Sequence, residues 1–168
     1  MATFDLTRVY GKTYTEDNGA SLGVPVVTSS LESNVKPARS TVAECYTQVI
    51  KDLNDAISSG ALSTEVTPGY VSLYAAKALL ARVYLTKGDW ANALSTAEDV
   101  INNSGKSLWT TNEYVKAWKK DDAAHAKEML FELSITNTSD WNDREGIAYM
   151  YAENRSDIPG YGDVVASK

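Results

Sequence analysis

The chain has 168 residues, 43% of them hydrophobic and 23% charged, which suits one globular domain and excludes both a disordered and a fibrous class. A net charge of -6 would repel a phosphate backbone, and the only local cluster of positive charge is the Lys119-Lys120 pair, so nucleic acid is excluded as a partner. The single cysteine, Cys45, permits no intrachain disulfide, and no apolar run approaches the roughly 20 residues of a membrane helix.

The chain opens with Phe4, Leu6, Val9 and Tyr10 at helical spacing ahead of Gly11, but with no capping residue in front. This predicts the last turns of a longer helix, with Met1 an added initiator. Residues 12–40 are rich in Thr, Ser, Asn, Gly and Pro and predict a long loop with a short extended run at Val24-Pro25-Val26-Val27. Thr41-Val42-Ala43-Glu44 is a capping box. It opens a helix over 41–59 whose apolar face carries Val42, Cys45, Tyr46, Val49, Ile50, Leu53, Ala56 and Ile57, and Gly60 ends it.

Two further helices are predicted over 71–87 and 90–103, divided by Gly88 as one cap and Asp89 as the next. Leu73, Ala76, Leu80, Val83 and Tyr84 form one inner face of this hairpin. Trp90, Ala93, Leu94, Ala97, Val100 and Ile101 form the other. Beyond Gly105 a short helix is expected over 113–119. Residues 128–135 alternate like a strand, while the Ala-rich stretch before them keeps a helix open. Residues 136–168 are aromatic, polar and rich in turns, and are expected to lead into a further part of a larger domain.

Arg8-Val9-Tyr10 recurs as Arg82-Val83-Tyr84, and aligning Tyr46 with Trp90 sets Val49 on Ala93, Ile50 on Leu94 and Leu53 on Ala97. Two helix pairs are implied, the first interrupted by the 12–40 loop. The second pair, from Ala78 to Ala93, resembles a tetratricopeptide repeat: Ala81 and Ala93 are small where the helices approach, and Tyr84 and Trp90 are expected to fill the wedge between repeats. The predicted fold is all-α, of tetratricopeptide-like helix pairs with long loops. The scaffold is expected over 1–135 and an irregular segment over 136–168.

The order of Phe4-Asp5-Leu6-Thr7-Arg8-Val9-Tyr10-Gly11, Gly23-Val24-Pro25-Val26-Val27-Thr28, the run from Pro37 to Tyr46, Ala75 to Leu85, and Lys127-Glu128-Met129-Leu130-Phe131-Glu132 resembles the SusD/RagB family. That resemblance implies a non-catalytic, lipid-anchored protein of the bacterial outer-membrane surface. It would hold an oligosaccharide or other nutrient for a SusC-like TonB-dependent transporter. The family's signal peptide, lipid-bearing cysteine and carboxyl-terminal half have no counterpart in this stretch, so it is expected to be an internal portion. Cys45 sits on an apolar helix face, unlike a lipid site.

No catalytic residue, metal ligand set or cofactor site is expected. The single His125 excludes a multi-histidine zinc site, and its pairing with Cys45 as a nucleophilic dyad would need an accident of folding. A glycosidase carboxylate pair is the natural enzyme alternative, but Asp52, Asp55, Asp121, Asp122, Asp157 and Asp163 all read as solvated surface. The four Trp and ten Tyr carry more. Trp141, Tyr149, Tyr151 and Tyr161 lie in the irregular segment, where rings could pack on sugar C–H faces while Asn142, Arg144 and Asn154 bond hydroxyls. Ordinary packing of that segment is the other reading of the same residues, and a peptide-binding scaffold is the other reading of the repeats.

Overall fold

The computed structural model describes residues 1–118 and 125–133. Contacts divide the chain into a unit Met1–Glu132 and a unit Leu133–Lys168, and every described helix belongs to the first. These are α1 (Ala2–Tyr10), α2 (Tyr14–Asp17), α3 (Val42–Ser58), α4 (Leu73–Lys87), α5 (Trp90–Asn103), α6 (Thr111–Ala117) and α7 (His125–Glu128). The fold is all-α: the described residues hold no strand, and Leu22 and Thr41 form an isolated antiparallel bridge.

Helix α3 begins where its capping box predicts. Glu44 N–H donates to Thr41 Oγ1 at 3.1 Å, and Thr41 N–H donates to Glu44 Oε2 at 2.7 Å, so two orphan amides are satisfied reciprocally. The turn between α4 and α5 also follows the sequence. Gly88 takes φ +86, Asp89 N–H reaches the Tyr84 carbonyl at 2.9 Å, and the Asp89 carboxylate accepts from Asn92 N–H at 3.4 Å. Gly11 differs, because it is extended (φ -97) rather than left-handed. Glycine is required there by proximity, since a Cβ would stand 2.6 Å from the Thr7 carbonyl oxygen.

α1 packs on α3, α3 on α4, and α4 on α5, which is the succession that two stacked helix pairs produce. The core is Phe4, Val42, Tyr46, Val49 and Val83, with Tyr14, Ile50, Leu53 and Leu79 against it. Phe4 and Tyr14 both meet Tyr46 edge to face, with centroids 6.0 and 5.3 Å away. Lys77 of α4 donates to Asp99 of α5 at 2.5 Å. That bond, followed by one from Asn103, holds the Asp99 carboxyl below its ordinary range.

Several sequence expectations need correction. Of the predicted inner face of α5, only Ala93 is buried, while Trp90, Leu94 and Ile101 are 66%, 61% and 71% exposed. One neighbouring helix covers one stripe, and the apolar face of α5 is wider than α4 can cover. Trp90 therefore fills no wedge. It borders an open groove of about 440 Å³ with Leu85, Leu94, Ala81 and Ala93. In α1 only Phe4 and Thr7 are buried, leaving Leu6, Val9 and Tyr10 exposed. The alternation expected over 128–135 makes no strand among its described residues, 128–133: the Leu130 carbonyl accepts from Ser72 Oγ at 2.8 Å and the Glu132 carbonyl from Gly69 N–H at 2.8 Å. Those backbone groups are taken by loop partners rather than by a ladder. The helix expected over 113–119 begins two residues earlier and ends at Ala117.

Residues 12–40, expected to be loop throughout, include the one-turn helix α2, and the segment is tied to itself and to the first turn of α3. Val42 N–H donates to the Ser21 carbonyl at 2.8 Å, Ala43 N–H to the Gly19 carbonyl at 2.9 Å, and Arg39 to the carbonyls of Gly23 and Leu22 at 2.6 and 2.9 Å. A loop of this length needs such partners for its backbone.

Candidate functional site

Residues 104–118 fold back on the turn that carries α7. Thr110 caps α6, and Glu113 accepts from Thr110 N–H at 2.8 Å while both its oxygens accept from Lys127 Nζ at 3.0 and 2.7 Å. Trp109 N–H donates to Glu128 Oε2 at 2.8 Å, Ser107 N–H to the Lys127 carbonyl at 3.1 Å, and Lys106 Nζ to the Ala126 carbonyl at 3.0 Å. Charged side chains thus tie the backbone of one segment to the other.

This framework presents a cluster of rings. Trp109, Tyr114 and Trp118 meet edge to face, with centroid separations of 6.1, 5.6 and 6.0 Å around the triangle. Tyr114 and Trp118 remain 54% and 60% exposed. Together with Leu108, Glu128 and Phe131 they line an open cleft of about 660 Å³. Rings beside a carboxylate suit a molecule with both C–H faces and hydroxyls, because the rings take the apolar face and the carboxylate accepts hydroxyl hydrogen bonds.

Glu113 and Glu128 are each bound to backbone or lysine donors in the frame, where they act as anchors. The Lys127 bond, then those from Thr110, lower the Glu113 pKa from 4.5 to about 2. A depressed folded value means that the tether contributes fully above the unfolded pKa and is lost as pH falls through the folded one. The stability difference between the protein and its Glu113→Gln variant is therefore expected to be constant above pH 4.5 and to shrink towards pH 2. Chemical denaturation at stepped pH measures it, and a difference that does not change between those values would refute the tether.

The residues expected to bind ligand, Trp141, Asn142, Arg144, Tyr149 and Tyr151, lie outside the described residues, as do Asp121 and Asp122. Sequence reasoning did not single out Trp109, Tyr114 and Trp118. A signal was available in the four-residue step from Tyr114 to Trp118 on a helix opened by Thr110 and Glu113. Asp52 and Asp55 are exposed and bonded to Gln48 and Lys51 on their own helix, as a solvated face requires. Cys45 is buried with Sγ directed at the Val24 carbonyl, 3.3 Å away, whereas His125 sits between the Ala117 carbonyl and Glu132. Each thus has its own partners. Among the described residues no three His, Cys, Asp or Glu side chains are grouped to hold a metal ion, and no helix is long and apolar enough to cross a membrane.

Stacked helix pairs with a ring-lined cleft beside them define a tetratricopeptide-like scaffold. The profile of the SusD-like family, described as starch-binding associating with outer membrane, matches residues 1–85, and the chain belongs to that family. A SusD-like protein of Bacteroides ovatus is 28% identical over 152 residues, covering 83% of this chain and 25% of its own length. The crystal structure of a putative sugar binding protein from Bacteroides vulgatus is 44% identical, with a TM-score of 0.80 over 94% of this chain and 35% of the other. That of a SusD superfamily protein from Bacteroides thetaiotaomicron is 47% identical, with a TM-score of 0.72 over 80% of this chain and 29% of the other. The chain therefore spans between a quarter and about a third of these relatives.

Proposed function

We propose that this chain forms part of a glycan-binding protein of the bacterial outer-membrane surface, which holds an oligosaccharide for a SusC-like TonB-dependent transporter and performs no chemistry itself. In this reading residues 1–135 are the helical scaffold, residues 136–168 an irregular segment carrying further ligand contacts, and the membrane is reached through a lipid anchor. Family membership supports the class, as does the description of a 44% identical relative as sugar binding. The observation that carries the reading to particular residues is the triangle of half-buried Trp109 with exposed Tyr114 and Trp118 beside an open cleft.

The test is calorimetry of the full-length protein against a panel of soluble oligosaccharides, starch fragments among them. Trp109→Ala and Trp118→Ala are expected to weaken the bound glycan about tenfold each, roughly 1.4 kcal/mol. The same measurement on Trp141→Ala, Tyr149→Ala and Tyr151→Ala tests the second group of rings, with Asn142 and Arg144 as their hydroxyl partners. Unchanged affinity in all five variants would return every one of these rings to a packing role. A peptide-binding scaffold is the second reading, favoured by the open apolar groove at Leu85, Trp90 and Leu94. Binding of extended peptides in preference to every glycan would establish it instead.

A further inference from the structure

Asn18-Gly19 is the one Asn-Gly pair in the chain, and a glycine without Cβ is the follower that least obstructs attack of a backbone nitrogen on an asparagine side chain. In that reaction a bond forms between the Gly19 nitrogen and Asn18 Cγ, and the bond from Cγ to the side-chain nitrogen breaks. Ammonia leaves with the proton that the Gly19 nitrogen gives up. Water then opens the cyclic imide at either carbonyl, giving aspartate or an isoaspartate whose main chain runs through the former side chain. The fold keeps the two reacting groups apart. Asn18 closes α2 in the left-handed region, with φ 55 and ψ 30. That ψ sets the Gly19 nitrogen on the far side of the Cα–C bond from the asparagine side chain, so the peptide must rotate before the new bond can form. Asn18 is exposed but Gly19 is buried. Gly19 N–H donates to the Tyr14 carbonyl at 3.0 Å, and its carbonyl accepts from Ala43 N–H at 2.9 Å. Asp17 braces the same turn by accepting from Ser21 Oγ and, at 3.1 Å, from Ala20 N–H. Rotation about Asn18 therefore breaks bonds at both ends of Gly19.

We propose that Asn18 is a site of spontaneous deamidation that the docked loop holds closed, so that modification proceeds only from molecules in which the turn over 14–21 has opened. The proposal concerns the loop and is independent of what the aromatic cleft binds. Local opening is fast beside amide cyclisation, so the rate follows the fraction of molecules open. The isoaspartyl product then makes the opening permanent. It lengthens the main chain by one carbon where there is no slack, since even a Cβ on Gly19 would stand 2.8 Å from Ala43 N and 2.8 Å from Tyr14 Cε2. Tyr14 itself is seated against Tyr46, with ring centroids 5.3 Å apart. A lengthened turn cannot return its peptide to both the Tyr14 carbonyl and Ala43 N–H, and the new carboxylate stands next to Asp17. Modification at one exposed side chain thus releases the segment after α2 from the first turn of α3.

The test is to age the full-length protein beside an unstructured synthetic peptide of residues 13–24 in the same neutral buffer. Peptide mapping by mass spectrometry, with enzymatic methylation of isoaspartate, follows Asn18 in both. The folded protein is expected to deamidate there at least about tenfold more slowly than the peptide, each tenfold corresponding to about 1.4 kcal/mol of opening free energy. Tyr14→Ala removes the ring that seats the turn and leaves the Asn-Gly pair intact, so its rate is expected to rise several-fold towards that of the peptide. The isoaspartyl form, separated from its parent, is expected to be cleaved faster within 20–40 in limited proteolysis. Should Tyr14→Ala fail to fold, the ratio of parent to peptide still decides. A folded protein that deamidates at the peptide's rate overturns the proposal, as does a folded Tyr14→Ala no faster than the parent. Equal cleavage of the isoaspartyl and parent forms would overturn the release of the loop.

Discussion

Replacing Phe4 with alanine is expected to cost about 3 to 5 kcal/mol, the range for removing a fully buried aromatic ring from a core. Phe4 is 1% exposed and belongs to the cluster of Val42, Tyr46, Val49 and Val83, which draws on α1, α3 and α4. Its ring meets Tyr46 edge to face and carries the Arg8 guanidinium 5.2 Å from its centroid. The side chain is the main anchor of a nine-residue helix whose other large apolar residues, Leu6, Val9 and Tyr10, are exposed. Too short to persist alone, α1 depends on that one anchor and on Thr7. Val9→Ala, on the same helix at 71% exposure, is the matched control and should stay within about 0.5 kcal/mol of the parent. Urea denaturation of both variants decides it. Equal midpoints would mean that α1 is not part of the cooperative core.

This asymmetry explains which parts of the fold could be read from the sequence. Helices α3, α4 and α5 were legible because their ends are written locally: Thr41 with Glu44, and Gly88 with Asp89, satisfy orphan groups within one turn. How much of an apolar face is buried is not a local matter. The pattern of Trp90, Leu94 and Ile101 matches a buried stripe as well as Val42, Cys45 and Val49 do, yet the first set is exposed and the second buried. Periodicity shows that a face is apolar, and the neighbours decide what covers it.

The candidate site was less legible for a related reason. The cleft owes its form to bonds between residues distant in sequence, Ser72 to Leu130 across 58 positions and Trp109 to Glu128 across 19. Nothing in the local pattern of 128–133 announces them, and its alternation suggested a strand instead. The ring triad itself, spaced over Trp109, Tyr114 and Trp118, could have been found once α6 was placed. The rings that the sequence set beside polar groups, Trp141, Tyr149 and Tyr151, lie outside the described residues.

Gly19→Ala is expected to loosen the long loop from the scaffold, at a cost of about 2 to 4 kcal/mol. Two effects add there. Gly19 has φ +75, which an L side chain adopts only under strain of about 1 to 2 kcal/mol. A Cβ at this position would also stand 2.8 Å from Ala43 N and 3.0 Å from Ala43 Cα, in the first turn of α3. That backbone cannot retreat, because Val42 and Ala43 N–H groups are bonded to the Ser21 and Gly19 carbonyls. Either the loop lifts and gives up those bonds, or α3 shifts against its core. Gly60→Ala separates the two effects: it has a similar φ of +69 and nothing within 4 Å of its Cβ, so it carries the strain without the collision. The difference between the variants in urea denaturation measures the close approach, and limited proteolysis within 20–40 should accelerate in Gly19→Ala but not in Gly60→Ala. Equal destabilisation of the two, with the loop equally protected, would mean that the loop does not lie against α3 in solution.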